Sequence, residues 1–147
     1  MMHRFFVSPT WIDGDRVRLE GDVARRLSRV LRLSPEDVVV LLDNTGSEYE
    51  VALGRFSRDA VEAQVLAVRH GTNESGIHVT LYQGVMKGEK FDWVLQKGTE
   101  MGVSAFVPLI CGRSVPQERG TRPAARYARW EKIVTEAAEQ SGRCLLP

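Results

Sequence analysis

Cysteine and histidine are scarce in this sequence, and their spacing does not suit a metal site. The two cysteines, Cys111 and Cys144, lie far apart, and the three histidines show no HExxH or comparable ligand spacing. No apolar run approaches the ~20 residues needed to span a membrane, and the N-terminus lacks the apolar core of a signal peptide. We therefore expect a cytoplasmic protein with no metal, no disulfide framework and no membrane partner.

A surplus of charge of one sign is also missing. The 20 Lys and Arg residues are balanced by 19 Asp and Glu residues, which leaves a formal net charge of +1. Any argument for nucleic-acid binding must therefore rest on local basic patches. Hydrophobic residues make up 43% of the 147 residues, which is enough for one ordinary domain or two small ones to fold unaided.

The first part of the chain predicts a small β-barrel. Short apolar runs alternate with turn residues, and several closely spaced strands are typical of a barrel. The predicted strands are residues 5–7, 17–19, 37–42, 49–56 and 61–68. The clusters at 13–15, 43–46 and 57–59 supply the turn chemistry between them.

One helix interrupts these strands, and it carries arginines. Its apolar residues recur at helical spacing: Val23, Leu27, Val30 and Leu31. Asp22 is the predicted N-cap. Arg25, Arg29 and Arg32 recur at i, i+4 and i+7, so they would share another face of the helix. This spacing predicts a local basic ridge that suits phosphate groups, although a solvated helix face is the alternative.

The polar, glycine-bounded run 71–76 predicts a linker, which gives two domains, 1–72 and 73–147. Beyond the linker, strands are predicted at 77–85 and 105–110. An amphipathic helix with Phe91 and Met101 on one face follows the first strand and ends at Gly102, and a longer helix begins near Pro123. This β-α-β-α order predicts a parallel sheet with helical crossovers. Two strands are too few to complete such a sheet, so we expect the second domain to be incomplete.

Two polar segments of the second domain are candidates for a site. KGEKFDWVLQKGTEMG, residues 87–102, follows a strand and runs along a helix, at the edge where parallel sheets bind ligands. RWEKIVTEAAEQSGR, residues 129–143, gathers polar residues at a helix end. The alternatives are a solvated helix face and an ordinary glycine-capped terminus. Trp93 and Trp130 lie in or beside apolar stripes, so we expect them to pack in the core rather than to stack on bases.

These segments make the sequence resemble the RsmE-type methyltransferases, which belong to the SPOUT class of knotted enzymes. The resemblance spans the whole chain through HRFFV, RRLSRVLRL, GEKFDWVLQKGTEMGVSAFVPLICGRS and RWEKIVTEAAEQSGRCLLP. The family usually has Gly-Asp before the third barrel strand, where this chain has Glu36-Asp37. The family's GPEGG loop and LGxRILRxETA-like segment, which build the cofactor pocket and the knot, do not occur within these 147 residues.

The resemblance implies an α/β plus all-β protein: a PUA-like β-barrel at 1–72 that helps grip rRNA, and the first half of a SPOUT-type parallel α/β domain at 73–147. It also implies methylation of uridine N3 in small-subunit rRNA with S-adenosyl-L-methionine as cofactor. The implied partners are the rRNA or the 30S subunit, and a second copy in a full-length homodimer. We expect the cofactor pocket to lie in a further C-terminal segment, so these 147 residues alone should be inactive.

The family motifs, together with the basic ridge, supply the candidate site residues. The expected substrate-binding residues are Arg25, Arg29, Arg32, Lys90, Lys97, Glu100, Arg113, Glu136 and Gln140, and Ser114 belongs to the same motif as Arg113. Arg143 is the catalytic candidate, because a guanidinium can orient the uracil carbonyls or stabilise the charge that develops as N3 loses its proton.

Two other functions compete with this interpretation. A non-catalytic RNA-binding adaptor, made of a PUA-like barrel with an appended α/β piece, agrees with the absence of the cofactor motifs. A small α/β nucleotide-binding enzyme is the second alternative, but the sequence has no GxxxxGK[ST] loop to cradle phosphates.

Overall fold

The computed structural model describes residues 2–113 and 123–147. The chain divides into two compact units, residues 1–72 and 73–147. In the described ranges, no helix is both long enough and apolar enough to cross a membrane.

The first unit is a mixed six-stranded sheet with a short helical segment. Its strands are β1 (Arg4–Phe6), β2 (Ile12–Asp13), β3 (Arg16–Glu20), β4 (Val38–Leu42), β5 (Ser47–Phe56) and β6 (Ala60–His70). Their order in the sheet is β1-β4-β5-β6-β3-β2, and only β1 and β4 pair in parallel. All the strands predicted here from the sequence are present, with shifts at their ends, and the short β2 is an addition.

Alternation of side chains explains how these strands build one core. In β3, Val17 and Leu19 are buried while Arg16 and Arg18 are exposed, as the period of two in a strand requires. In β4, the run from Val39 to Leu42 is buried on both faces of the strand. Val17, Leu19, Val39 and Leu41 belong to one hydrophobic core, and the burial of this core is the main stabilising term for the unit.

The helical segment differs from the prediction. α1 spans only Gly21–Arg25 and continues as a wider π-helical turn over Arg26–Val30, in which the Leu31 amide donates to the Arg26 carbonyl at 2.9 Å. The predicted cap at Asp22 is wrong, because the N-cap is Glu20, whose side chain makes no capping hydrogen bond. The wider turn buries Leu27 completely but leaves Val30 exposed.

The second unit has the predicted β-α-β-α order. Its elements are β7 (Thr80–Gly84), α2 (Lys90–Glu100), β8 (Ala105–Leu109) and α3 (Pro123–Ser141). β7 and β8 pair in parallel, with Thr80 opposite Ala105 and Gly84 opposite Leu109, which confirms the predicted parallel pairing. The first strand is shorter than predicted: residues 77–79 precede it, and Ile77 is 71% exposed.

α2 lies tightly against β8. Phe91, Leu95 and Thr99 form its buried face, whereas Met101, predicted to share that face, is exposed. A Cβ at Gly98 would lie 2.7 Å from the Phe106 ring, so only glycine permits this approach. Gly102 ends the helix as predicted, with a φ of +94° that favours glycine.

A partly buried ion pair, here named the Glu74–Arg143 clasp, ties the helix ends of the second unit together. Arg143 donates through Nε and Nη2 to Glu74 Oε2, at 3.2 and 2.9 Å. Its Nη1 donates to the carbonyl oxygens of Thr99, in the last turn of α2, and of Val103, between α2 and β8, at 3.3 and 2.6 Å. Glu74 Oε1 accepts hydrogen bonds from the backbone amides of Cys144 and of the next residue, at 2.9 and 3.0 Å.

The clasp lowers the pKa of the Glu74 carboxyl below its ordinary value of 4.5. Burial acts in the opposite direction and would raise the pKa, but hydrogen bonds from Arg143 and from the backbone amides of Cys144 and Leu145 outweigh it. A carboxylate with a lowered pKa in the folded state stabilises the fold above pH 4.5. That stabilisation disappears as the pH falls through the lowered pKa.

Replacing Glu74 with Gln is expected to lower the free energy of unfolding of residues 73–147 by about 2 to 3 kcal/mol at pH 7. Gln keeps the shape of Glu but leaves the Arg143 guanidinium buried without its anion. Urea unfolding followed by peptide-resolved hydrogen exchange measures this loss. The difference from the parent chain should shrink as the pH falls from 4.5 through the lowered pKa, at which Glu74 in the folded chain takes up a proton.

Glu136→Gln is the matched control, because Glu136 forms an exposed ion pair with Lys132 at 3.8 Å, and such pairs contribute about 0 to 1 kcal/mol. Equal free energies of unfolding for Glu74→Gln and the parent chain at pH 7 would contradict a stabilising role for the clasp.

Glu36 holds a left-handed backbone conformation, with a φ of 75°, which favours glycine over residues that carry a Cβ. Glu36→Gly should stabilise the first unit by about 0.5 to 1 kcal/mol, because relief of roughly 1–2 kcal/mol of backbone strain exceeds the entropic cost of glycine. Urea unfolding measures the change. Glu36→Ala, which keeps a Cβ and therefore the strain, is the control; an equal gain from Ala would assign the effect to the side chain.

Candidate functional site

α2 and α3 leave a groove between them, here named the α2–α3 groove. The helices pack through the Phe91 and Trp130 rings, whose centroids lie 4.7 Å apart, and Leu95 of α2 and Ala138 of α3 are buried. Polar side chains beside this contact remain outside the core. The groove has a volume of about 560 Å³ and is lined by Glu89, Asp92, Trp93, Gln96, Glu100, Arg129, Ile133, Glu136, Ala137 and Gln140.

The groove brings together three of the predicted site residues: Glu100, Glu136 and Gln140. Glu136 and Gln140 are one helical turn apart on α3, so helix periodicity places them on one side. Gln96 and Arg129 also line the groove, and the ion pair of Arg129 with Asp92 joins the two helices. The Arg129–Asp92 ion pair was not predicted, because its two residues lie 37 positions apart and a single sequence does not show that they meet.

The predicted basic residues of the second unit lie around the groove or away from it. Lys97 donates to Glu100 at 2.8 Å and so partly neutralises the charge of the Glu100 carboxylate, which lines the groove. Lys90 is exposed at the start of α2, and Arg113 is exposed after β8; neither lines the groove. Ser114, of the same motif as Arg113, lies outside the described residues.

Trp93 is not a core residue, which corrects the prediction from helical spacing. Its side chain is 62% exposed, and it lines both the α2–α3 groove and an apolar groove on its other side. Trp130 is partly buried, between Phe91 and the edge of Tyr127. The prediction failed for Trp93 because the buried stripe of α2 is narrow and Trp93 lies two positions after Phe91, on another side.

The apolar groove beside Trp93 has a volume of about 460 Å³. Apolar side chains form most of its wall: Ile77, Val79, Leu81, Trp93, Val94, Met101 and Val103. Ser75 and Lys97 are its polar side chains. The groove therefore offers contact surface with few hydrogen-bonding groups.

Arg143, the catalytic candidate, lies in the clasp described above rather than in either groove. Its side chain is 7% exposed, and its guanidinium donates to Glu74 and to the carbonyl oxygens of Thr99 and Val103. These contacts support a structural role, since direct contact with a substrate would require the guanidinium to give up protein partners.

The first unit carries a second candidate site, here named the arginine pocket. It has a volume of about 270 Å³ and is lined by Gly21, Ala24, Arg25, Ser28, Arg29, Ser57, Arg58, Asp59 and Val61. Arg25 and Arg29 of the predicted ridge therefore lie together. Arg32, the third member of the predicted ridge, does not line the pocket, because the helix ends at Val30 and Arg32 has a left-handed φ of 53°.

Two further arginines of the first unit, Arg26 and Arg58, lie in different places. Arg26 lies over the Phe5 ring, 4.9 Å from its centroid, away from the arginine pocket. Arg58 comes from the turn between β5 and β6 and was not among the predicted site residues. The sequence indicates that turn, but the pairing of β3 with β6, which brings it to α1, is a long-range feature.

Within residues 2–113 and 123–147, no three His, Cys, Asp or Glu side chains gather in a way that would hold a metal ion. Cys111 is exposed and Cys144 is buried. The chemistry available in the two sites is therefore hydrogen bonding by amides and carboxylates in the α2–α3 groove, and anion binding in the arginine pocket.

Known proteins are similar to this chain in sequence and in fold. The family model for the RNA methyltransferase domain matches residues 73–147. Ribosomal RNA small subunit methyltransferase E of Bacillus subtilis is 32% identical over 149 residues, which cover 99% of this chain and 58% of that protein. The protein of the same name from Synechocystis is 35% identical, over 100% of this chain and 46% of its own length.

A solved structure extends the similarity to the fold. Ribosomal RNA small subunit methyltransferase E from Neisseria gonorrhoeae, crystallised with S-adenosyl methionine, matches 100% of this chain and 60% of its own, with a TM-score of 0.90 and 35% identity. The chain thus spans about half the length of the curated relatives named above. Because the family model covers the whole second unit, the chain belongs to the RNA methyltransferase domain family.

Proposed function

We propose that this chain is part of an enzyme that transfers a methyl group from S-adenosyl-L-methionine to N3 of a uridine in small-subunit rRNA. The observation that carries the proposal is the α2–α3 groove, which gathers Glu100, Glu136 and Gln140 from two separate family motifs. The names of its relatives, small-subunit rRNA methyltransferases, support the reaction type and the RNA substrate.

The cofactor is not accommodated by the described residues alone. The α2–α3 groove is open and carries four carboxylates, from Glu89, Asp92, Glu100 and Glu136. The apolar groove has few polar side chains with which to hold the amino-acid end of the cofactor. We therefore propose that a segment corresponding to the remaining length of the relatives supplies most of the cofactor pocket.

The chemistry at uracil defines what these side chains must do. N3 carries a proton at neutral pH and belongs to the Watson-Crick edge, so the base must be unpaired and must lose that proton. Gln140 and Gln96 can donate amide hydrogen bonds to the uracil carbonyls, and a carboxylate such as Glu136 can accept a proton. Exposed Trp93 offers an aromatic face on which an extruded base can stack.

The basic residues have supporting roles in this proposal. Lys90 and Arg113 are exposed on the second unit and can contact phosphates, while Lys97 is held by Glu100. Such contacts contribute affinity that falls as the salt concentration rises. For Arg143 we propose a positioning role, in which the clasp fixes the end of α3 and thereby the place of Gln140 in the groove.

Methyl transfer should require more than residues 1–147. A chimera that joins this chain to the part of the Bacillus subtilis relative beyond their match is expected to methylate small-subunit rRNA at uridine N3. Labelled cofactor, nuclease digestion and mass spectrometry of the nucleosides identify the product. The 147-residue chain and the added segment alone serve as controls, both expected to be inactive.

Two results would change this proposal. Methylation by the 147-residue chain alone would contradict the assignment of the cofactor pocket to another segment. A folded chimera that binds both rRNA and the cofactor but transfers no methyl group would favour the adaptor function instead.

Gln140→Ala in the chimera should slow methyl transfer in a single turnover by about tenfold, which corresponds to the loss of one hydrogen bond of about 1.4 kcal/mol. Rapid-quench measurement at saturating cofactor gives this rate. Glu131→Ala is the matched control, since Glu131 is exposed on α3 and does not line the α2–α3 groove. Equal rates for Gln140→Ala and the parent chimera would exclude Gln140 from substrate positioning.

A further inference from the structure

We propose that the arginine pocket of the first unit binds a backbone phosphate of RNA, with Arg58 and Arg29 as its two cationic ligands. The proposal rests on the proposed function for the identity of its ligand. It adds a ligand, Arg58, from an element that the family motifs do not include, and it excludes Arg32, which the helical spacing had predicted.

The topology of the sheet creates the pocket. β3 pairs with β6 so that Leu19 lies opposite Val61 and Glu20 lies opposite Ala60. The chain leaves β3 at Glu20 and enters α1 immediately, so the helix begins beside the residues that open β6. The β5–β6 turn and the first turns of the helical segment are thereby neighbours across a small concavity.

The turn that carries Arg58 is fixed by its own hydrogen bonds. The Ser57 amide and the Ser57 hydroxyl both donate to the Ala60 carbonyl, each at 2.9 Å. The Ala60 amide donates back to Ser57 Oγ at 3.2 Å. Ala60 and Val61 are buried in the sheet core, so the turn stands on a rigid base. A ligand that binds Arg58 therefore orders a side chain rather than a whole loop.

The charges of the pocket favour an anion. Arg25 is already paired with Asp22, at 2.6 Å. Arg29 and Arg58 form no ion pair with any residue in the described part of the chain. Asp59 also lines the pocket and offsets one positive charge. A net positive charge remains, held by two guanidinium groups whose planar donor arrays match phosphate oxygens.

The lining of the pocket suits a phosphate group better than a base. Its volume of 270 Å³ is about nine times the roughly 30 Å³ that a water molecule occupies in the liquid, so a phosphate and several waters fit. Among the described residues no aromatic side chain lines the pocket, so they offer no platform on which a base can stack. The hydroxyls of Ser28 and Ser57 donate to backbone carbonyls, so their hydrogens are already used within the protein. Binding of the phosphate therefore depends on the arginines.

The test measures binding of the 147-residue chain to fluorescent small-subunit rRNA fragments at several salt concentrations. Arg58→Ala is expected to weaken binding roughly tenfold at low salt. It should also reduce the slope of log affinity against log salt by about one, because one phosphate contact is lost. Arg29→Ala should do the same, and Arg58→Lys should keep the parent slope because it keeps the charge.

Arg55→Ala is the matched control, since Arg55 is exposed on the same hairpin but does not line the pocket; its slope should equal that of the parent chain. If the parent chain binds RNA and Arg58→Ala leaves affinity and slope unchanged, the phosphate site is overturned while the proposed function stands. Competition by polyglutamate as strong as that by rRNA would overturn the assignment to RNA. If the parent chain shows no salt-dependent binding, the proposed function fails as well.

Discussion

The carboxylate of Glu74 is the contact on which the arrangement of the second unit depends. Glu74 lies within the predicted linker, residues 71–76, yet it binds the guanidinium of Arg143 and two backbone amides beyond α3. Arg143 in turn binds the carbonyl oxygen of Thr99, in the last turn of α2, and that of Val103, which follows this helix. One ion pair therefore joins the residues before β7, the end of α2 and the residues that follow α3. The α2–α3 groove has a defined shape because these helix ends cannot move independently.

Each unit uses a buried scaffold to present polar groups beside it. In the second unit, Leu95 and Ala138 pack inside while Gln140 and Glu100 face the groove. In the first, the sheet core holds Ala60 and Val61, and the turn before them projects Arg58. Side chains on such rigid elements lose little freedom when a ligand binds, which favours sites built this way.

Local patterns predicted most of the elements but not the faces that they present. The strands of both units, the parallel pair and the glycine end of α2 follow from spacing and turn chemistry. The π-helical turn does not follow from them, because its apolar spacing resembles that of an ordinary helix. The helical segment ends at Val30, so Arg32 does not lie with Arg25 and Arg29. Trp93 was misassigned for a related reason, since a tryptophan near an apolar stripe can point to solvent when the stripe is narrow.

Resemblance identifies which residues matter to a family without dividing them between folding and chemistry. The string EQSGR contains Gln140, which lines the groove, and Arg143, which is buried in the clasp only three positions later. Periodicity alone cannot separate the two, because Arg143 follows the end of α3 at Ser141 and no longer obeys the helical repeat. The separation becomes visible only when Glu74, 69 positions away in sequence, is found against its guanidinium. A buried arginine whose partner is the protein's own carboxylate is better suited to hold a site in place than to act within it.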